Sequence, residues 1–145
     1  MAARWEETAE VVVYILPSCG FARFERHLNR LRECVSRYLP GPVLVLGDLN
    51  AKHATWHSSR TDPRGKALLD WAAAHNLRLL NTGDALTCVR RFAGSIVDLT
   101  FASPAAVCIV RDWHVVRGGE TLSDHRYISM IVGHHAGDVR ASHTP

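Results

Sequence analysis

Residues 43–50, Val-Leu-Val-Leu-Gly-Asp-Leu-Asn, constrain the fold more than any other stretch of this 145-residue chain. A short apolar run bounded by Pro42 and Gly47 is typical of a strand buried on both faces. Side chains at i and i+2 point to the same side of a strand. Asp48 and Asn50 are therefore expected to leave the strand end together, where open α/β proteins place their functional groups. An ordinary Asp/Asn turn is the alternative.

The segments on either side of this strand predict an α/β architecture. Residues 10–17 form a β-branched and aromatic run closed by Pro17, which predicts a second buried strand. Residues 21–38 carry apolar side chains every three or four positions, which predicts a helix that Pro40 ends. The order strand, helix, strand is a crossover unit, as in α/β folds.

The remaining elements follow from turn and cap signals. Asp62 and Pro63 predict the start of a second helix, which ends near His75 and Asn76. A short strand is expected at 77–80, and strands 87–91 and 95–102 form a hairpin with Arg90, Arg91 and Phe92 at its tip. Strands at 112–116 and 126–132 are expected to complete the sheet. Residues 1–133 are thus interpreted as the folded part and 134–145 as a loose polar tail.

Composition limits the class of protein. The length fits one domain, and 47% hydrophobic residues exclude general disorder. The formal charge is +3, and only two of the 17 basic residues are lysines, which favours a phosphate-bearing partner. The four cysteines form no C-x-x-C pair, so a reduced, intracellular protein without disulfides is expected. No apolar run approaches the ~18 residues of a membrane span, so we expect no membrane partner.

Polar groups interrupt apolar strands at three places. They are Asp48 with Asn50, Asp98 within Ile-Val-Asp-Leu, and Asp124 with His125 just before the last strand. A charge within a buried strand costs several kcal/mol unless it is paired, and a histidine is a natural partner for Asp98. An ion pair with an arginine is the alternative for Asp98, and a simple turn is the alternative for the Asp124–His125 dipeptide.

Taken in order, these motifs resemble the endonuclease/exonuclease/phosphatase family. The resemblance rests on three motifs, which are Gly-Asp-x-Asn at 47–50, Val-Asp-Leu at 97–99 and Ser-Asp-His at 123–125. Shorter segments around them, including Asp-x-Arg-Gly at 62–65 and Asp-His-Arg-Tyr-Ile at 124–128, are similar to endonuclease domains of R-one clade non-LTR retrotransposons. The resemblance runs from about residue 11 to 132 and implies a partial four-layer α/β sandwich of the DNase I-like type.

The resemblance also implies roles in phosphodiester hydrolysis, which needs an attacking water, a Mg²⁺ (or Mn²⁺) ion and donors aimed at the phosphate. His125 would contact the scissile phosphate or serve as a base, and Asp98 would fix its tautomer. Asp48 would orient the water, and Asn50 would donate its amide to a phosphate oxygen. Asp124 would lie near the metal and ligate it directly or through water.

Two further implications concern phosphate and DNA contacts. Tyr14 is similar to the family's phosphate-binding tyrosine, but Ser18 stands where the family usually carries an asparagine. The hairpin with Arg90, Arg91 and Phe92 is similar to one that related endonucleases use to contact DNA, although a solvated turn is the alternative. The implied function is Mg²⁺-dependent nicking of DNA, in the nucleus, to prime reverse transcription, with the reverse transcriptase of the parent polyprotein as a partner.

One departure from the family leads to a different expectation for activity. The family's metal-site Asn and Glu precede the Tyr14 strand by tens of residues, whereas only 13 residues precede Tyr14 in this chain. We therefore expect the C-terminal part of the domain, with metal binding and nicking impaired. A non-catalytic truncated relic or DNA-binding module is the alternative. His53 and His57, spaced i, i+4, would suit zinc on a helix, but they fall in a predicted loop.

Overall fold

The computed structural model describes residues 1–5, 7–133 and 140–144. The strands and helices, in chain order, are β1 (Ala2–Trp5), β2 (Thr8–Tyr14), α1 (Phe21–Ser36), β3 (Val43–Asp48), a 3₁₀ turn (Ala54–Trp56), α2 (Pro63–Ala74), β4 (Arg78–Leu79), β5 (Cys88–Arg90), β6 (Ala93–Ser95), β7 (Asp98–Ala102), α3 (Pro104–Val107), β8 (Val110–Val115), β9 (Ile128–Val132) and β10 (Arg140–Thr144).

The apolar run at 43–46 forms the middle of a five-stranded sheet, as the sequence predicts. The strand order is β1-β2-β3-β7-β4, so β3 has a neighbour on each side. Strands β2 and β3 are parallel and are connected by α1, which confirms the crossover unit. Strand β7 runs antiparallel to β3. Strand β1, which the sequence pattern did not predict, pairs with β2 and covers its outer edge.

Alternation along β3 divides the protein into layers. Val43 and Val45 belong to an apolar core with residues of α1 and α2, such as Phe24 and Leu68. Leu44 belongs to a second core that includes Met130 and Val132 of β9. Helices α1 and α2, the five-stranded sheet and the three-stranded sheet therefore form three successive layers, and the expected α/β sandwich is confirmed.

The last two predicted strands do not complete the central sheet, and this expectation was wrong. Strands β8 and β9 form a separate three-stranded sheet with β10, in the order β10-β9-β8. The physical reason is that Met130 and Val132 are buried against Leu44 and Ala102, which requires packing face to face with the central sheet. In the tail expected to be loose, residues 134–139 and 145 lie outside the described residues, and 140–144 form β10 against β9.

The predicted hairpin is confirmed, with a shorter second arm. Strands β5 and β6 pair antiparallel, and residues 91 and 92 form the turn. The strand expected at 95–102 is divided between β6 and β7. Ile96 and Val97, which connect β6 to β7, are both buried, and the Val97 amide donates to Oγ1 of Thr87 instead of to a strand partner.

The predicted helix ends are also confirmed. Asp62 caps α2 by accepting a hydrogen bond from the Gly65 amide at 2.8 Å. Asn76 has φ 55°, and Nδ1 of His75 lies 2.7 Å from the Trp71 carbonyl oxygen. All four cysteines are free. None of the helices in the described residues has the length and apolar character to cross a membrane.

Gly47 permits β2 and β3 to approach closely just before Asp48. The apolar run was expected to end at Gly47, but β3 continues through it to Asp48. Gly47 has φ 139°, and a Cβ there would lie 2.0 Å from the Val13 carbonyl oxygen. Any other residue would push the two strands apart at the position from which Asp48 projects.

Replacing Gly47 with alanine should therefore cost about 3 kcal/mol of unfolding free energy, from overlap and an unfavourable backbone angle. Urea denaturation measures this loss. Gly119→Ala is the matched control, because its Cβ would meet Tyr127 and Val116 at 3.8 and 3.9 Å, which are ordinary contact distances. Equal stability of the Gly47→Ala and Gly119→Ala proteins would contradict this account of the strand contact.

Candidate active site

Three neighbouring strands place three polar residues in one row. Tyr14 of β2 is the register partner of Asp48 in β3, and Asp48 is the register partner of Asp98 in β7. Partners in register point to the same face of a sheet. This face is the one that carries Leu44 toward the second sheet, because positions 44, 46 and 48 alternate with the core residues Val43 and Val45.

His125 reaches this row through backbone pairing with strand β5. Cys88 and His125 form an isolated antiparallel bridge. The Arg126 amide donates to the Thr87 carbonyl at 2.7 Å, and the Val89 amide donates to the Asp124 carbonyl at 2.8 Å. The backbone on both sides of His125 is therefore fixed before its side chain makes any contact.

The imidazole of His125 lies between the two carboxylates of the row. Its Nδ1 is 2.8 Å from Oδ2 of Asp98, within the hydrogen-bond range that the sequence motifs lead us to expect for this pair. Its Nε2 is 3.6 Å from Oδ2 of Asp48, too long for a direct hydrogen bond. Because an ionised carboxylate can only accept, Nδ1 carries the proton in the contact with Asp98. Nε2 is left for a third group.

Asp48 has a perturbed carboxyl group. Burial raises its pKa, and the negative charge of Asp98 raises it further. His125 and hydrogen bonding from Asn50 act in the opposite direction and are smaller. The charged form of Asp48 is therefore held in the site at a cost in folding stability.

Asn50 connects the row to the end of β2. Its Nδ2 donates to the Ile15 carbonyl at 2.8 Å, and its backbone amide donates to Oδ1 of Asp48 at 3.2 Å. Its φ of 45° is in the left-handed region, which asparagine tolerates better than most residues. The side-chain amide of Asn50 is thus held beside Asp48, where it also acts to lower the pKa of that carboxyl.

Two cavities border the row. One, of about 550 Å³, lies between the sheets and is lined by Tyr14, Asp48, Asp98 and His125 together with apolar side chains such as Leu122 and Met130. The other, of about 470 Å³, lies toward the hairpin and is more polar. Its lining includes Tyr14, Asp48, Asn50, Lys52, Arg60, Arg64, Arg90 and His125. Substrate can thus approach the same histidine from the hairpin side.

The structure does not bring every predicted residue into this cluster. The Asp124 side chain is exposed, and its Oδ2 lies 3.6 Å from Nε of Arg90. Arg90 lines the polar cavity, but the guanidinium of Arg91 lies 5.4 Å from the ring centroid of Phe92, at the hairpin turn. Phe92 is 92% exposed. The metal role of Asp124 and the DNA contacts of the hairpin stay predictions.

The carboxylates of the row form a donor set for a divalent cation. Ligand atoms of Asp48, Asp98 and His125 lie within 4.8 Å of one another, and within the described residues they are the group with this property. Two carboxylates supply the hard oxygen ligands that Mg²⁺ and Mn²⁺ prefer, so the row fits such an ion. Nδ1 of His125 is already engaged by Asp98. His53 and His57 lie outside the group, and Nδ1 of His53 accepts from the Thr55 amide at 3.0 Å.

Three residues that the sequence motifs did not assign to the site hold its backbone in position. Thr87 is fully buried, and its Oγ1 accepts from the amides of Val97 and Asp98 at 3.0 and 3.1 Å. The side chain of Asn81 donates to the Asp98 carbonyl and accepts from the Thr100 amide. Arg64 donates to the carbonyl oxygens of residues 16, 17, 19 and 50. Only Arg64 belonged to a motif; Thr87 and Asn81 carry no local signal.

Comparison with known proteins identifies the family to which the chain belongs. The family model described as endonuclease-reverse transcriptase matches residues 9–129, so the chain belongs to that family, within the endonuclease/exonuclease/phosphatase group. The endonuclease domain of TRAS1, a telomere-specific non-LTR retrotransposon, is similar in structure, with 26% identity and a TM-score of 0.78. The match covers 90% of this chain and 59% of the TRAS1 domain, so the chain spans less than two thirds of that relative.

Two more distant structures share the fold. A 3′ phosphatase, NExo, from Neisseria bound to a product DNA hairpin has 17% identity and a TM-score of 0.69, over 91% of this chain and 63% of that protein. The mannosyl-6-phosphatase Bt3783 from Bacteroides thetaiotaomicron has 16% identity and a TM-score of 0.50, over 88% and 51%. A comparison with curated proteins finds no match.

Asp48→Asn should raise the midpoint of thermal unfolding at pH 7, measured in EDTA. The variant removes a buried charge beside Asp98 but keeps an oxygen for the Asn50 amide. The folded pKa of Asp48 lies above its unfolded value, so the cost of its charge falls as pH drops through the folded pKa and is absent below the unfolded one. The gain should shrink accordingly in acid. Exposed Asp84→Asn is the control, and a lower midpoint for Asp48→Asn at pH 7 would contradict the electrostatic account.

Thr87→Val should lower the unfolding free energy by about 2 kcal/mol or more, because two backbone amides lose their acceptor at nearly constant side-chain volume. Thr87→Ser keeps the hydroxyl and should recover most of that loss. Urea denaturation of the two variants measures the difference. If serine were as destabilising as valine, the hydroxyl would not be the group that fixes the start of β7.

Proposed function

We propose that the chain carries the reacting residues of a DNA endonuclease domain, which hydrolyses phosphodiester bonds with Mg²⁺ or Mn²⁺. The observation that carries the proposal is the row of Tyr14, Asp48 and Asp98 with His125 between its carboxylates. A cavity opens on the row from the hairpin side. Membership of the endonuclease-reverse transcriptase family supports a phosphodiesterase chemistry for these residues.

His125 is the residue that contacts the scissile phosphate or moves a proton at Nε2. Asp98 holds Nδ1–H at 2.8 Å, which fixes the tautomer and the ring orientation and stabilises the imidazolium that forms on proton uptake. Asp48, 3.6 Å from Nε2, is placed to accept a hydrogen bond from the attacking water. Its raised pKa suits a group that receives a proton from water.

Tyr14 and Asn50 supply neutral donors to the phosphate oxygens. Tyr14 is 65% exposed and lines both cavities beside the row, so its hydroxyl can reach a bound ligand. Asn50 has one amide hydrogen not used by the Ile15 carbonyl. Donors fixed before the reaction stabilise charge that develops on the phosphate without reorganisation.

The carboxylates of Asp48 and Asp98 would hold the divalent ion, with Asp124 as a further ligand if its contact with Arg90 opens. When bound, the ion supplies Lewis-acid polarisation of a phosphate oxygen. A site with few carboxylates binds such an ion weakly. We therefore propose that residues 1–145 by themselves are a weak catalyst.

The biological role that fits these features is nicking of target DNA to prime reverse transcription, in the nucleus and together with a reverse transcriptase. Membership of a family described as endonuclease-reverse transcriptase and the likeness to the TRAS1 endonuclease domain support this role. DNA is the partner that also suits the arginine-rich hairpin, where Arg90 lines the cavity and Phe92 projects into solvent.

Supercoiled plasmid incubated with residues 1–145 should be converted slowly to the nicked form, only with Mg²⁺ or Mn²⁺ present. His125→Ala should remove that activity, and exposed His114→Ala should not. With Asp48 and Asp98 as the carboxylate ligands, the rate should be several orders of magnitude lower than that of an endonuclease with a larger set of metal ligands. Gel electrophoresis of the plasmid forms measures all three results.

Nicking that persists in His125→Ala would contradict the proposed site. If the wild-type chain nicks DNA fast and His125→Ala abolishes the nicking, only the proposal that residues 1–145 are a weak catalyst is contradicted. Binding to DNA with no nicking under either metal would favour the alternative of a non-catalytic DNA-binding module.

A further inference from the structure

Helix α1 presents a concentrated positive strip, the basic flank, which consists of Arg23, Arg26, His27 and Arg30. These residues are spaced i, i+3, i+4 and i+7, so they lie along one side of the helix. They alone line a surface cavity of about 230 Å³. The three arginines are exposed, and His27 is half-buried between them.

No carboxylate in the described part of the chain forms an ion pair with the arginines of the basic flank. Among those residues, no carboxylate lies within 4.0 Å of Arg23, Arg26 or Arg30. Like charges three or four residues apart destabilise a helix by a few tenths of a kcal/mol each. The pKa of His27 is lowered by burial first and then by Arg30, Arg23 and Arg26, which reflects the same crowding.

The strip is not needed to hold the helix in place. Helix α1 packs through a different side, on which Phe24, Leu28, Leu31 and Val35 are buried. The packing of α1 therefore explains none of the four basic residues. Repulsion among them is a standing cost to folding, which an anionic ligand would offset.

The basic flank is continuous with the candidate active site. A cavity of about 330 Å³ is lined by His27 and Arg30, by Tyr14, and by further residues of β1 and β2. Tyr14 also lines both cavities that border the catalytic row. Tyr14 therefore links the cavity at the basic flank to the cavities at the row.

We propose that the basic flank binds the phosphate backbone of the duplex DNA whose scissile bond lies at the catalytic row. This inference rests on the proposed function, and it assigns α1 a role in holding the DNA beyond the nicked bond. Arg23 and Arg30 are about 10.5 Å apart along the helix axis, at 1.5 Å per residue. One DNA strand advances about 3.4 Å along the duplex axis per phosphate, so the three arginines span a length of about three phosphate steps. Such contacts position DNA without reading its sequence.

Fluorescence anisotropy of a labelled duplex of about 25 base pairs, in EDTA so that no cleavage occurs, tests the assignment. Affinity is measured across a series of salt concentrations for wild type and for Arg23→Gln/Arg26→Gln/Arg30→Gln. Each phosphate contact contributes about 0.9 to the slope of log affinity against log salt, so we expect the slope to fall by about 2 to 3. Affinity at low salt should fall at least tenfold.

The matched control is Arg32→Gln/Arg78→Gln/Arg111→Gln, which removes the same charge from exposed positions outside the basic flank. It should change the slope by less than about one. The basic-flank variant should unfold at the same temperature as wild type or higher, because it loses like-charge repulsion. Equal slopes for the two triple variants would overturn the proposal.

Two further arms separate this site from other anions and from the active site. A basic-flank variant that lost affinity for an RNA duplex or for phosphatidylserine vesicles, but kept its DNA slope, would overturn the assignment to DNA. His114→Ala, at an exposed position outside both the row and the basic flank, should keep the wild-type slope. If the basic-flank variant has a smaller salt slope but wild type does not nick DNA, the DNA-binding surface is supported and the proposed hydrolysis is contradicted. If wild type nicks DNA but the slope of the variant is unchanged, the hydrolysis is supported and the DNA-binding surface is contradicted.

Discussion

The contact between His125 and the two carboxylates of the row is the constraint on which the rest of the site depends. Asp48 and Asp98 are register partners on adjacent strands, and like charges directly opposite one another destabilise a sheet. The imidazole lies 2.8 Å from one carboxylate and 3.6 Å from the other. The imidazole therefore separates the two carboxylates and fixes their positions relative to its ring nitrogens.

Several structural features act together to keep this arrangement in place. Gly47 lets β2 approach β3 just before Asp48. The hydroxyl of buried Thr87 accepts from the amide of Asp98, and the carbonyl of Thr87 accepts from the amide of Arg126, next to His125. These groups are neutral, whereas the row itself is charged and repulsive. The contacts around the row therefore stabilise the fold, whereas the two neighbouring carboxylates within the row destabilise it, as is common at functional sites.

The sequence was sufficient for the parts that depend on local pattern. The apolar run at 43–46, the Asp62 cap and the hairpin around residues 91 and 92 could each be predicted because short-range chemistry specifies them. The separate sheet of β8 and β9 could not be predicted from the sequence. Only the packing of Met130 against Leu44 shows that these strands lie on the face of the central sheet and do not pair with its edge. Thr87 was missed for the same reason: its partners, Val97 and Asp98, are ten and eleven residues away.

The central claim is that Asp98 holds His125 as the Nδ1–H tautomer, with Nε2 directed to Asp48 and to substrate. Long-range ¹H–¹⁵N NMR correlation of histidine-labelled protein at alkaline pH measures the tautomer directly, and the spectrum of His125→Ala assigns the signal. We expect a protonated Nδ1 and an unprotonated Nε2 in wild type, and loss of that preference in Asp98→Ala. A protonated Nε2 in wild type, or a tautomer unchanged by Asp98→Ala, would contradict the account.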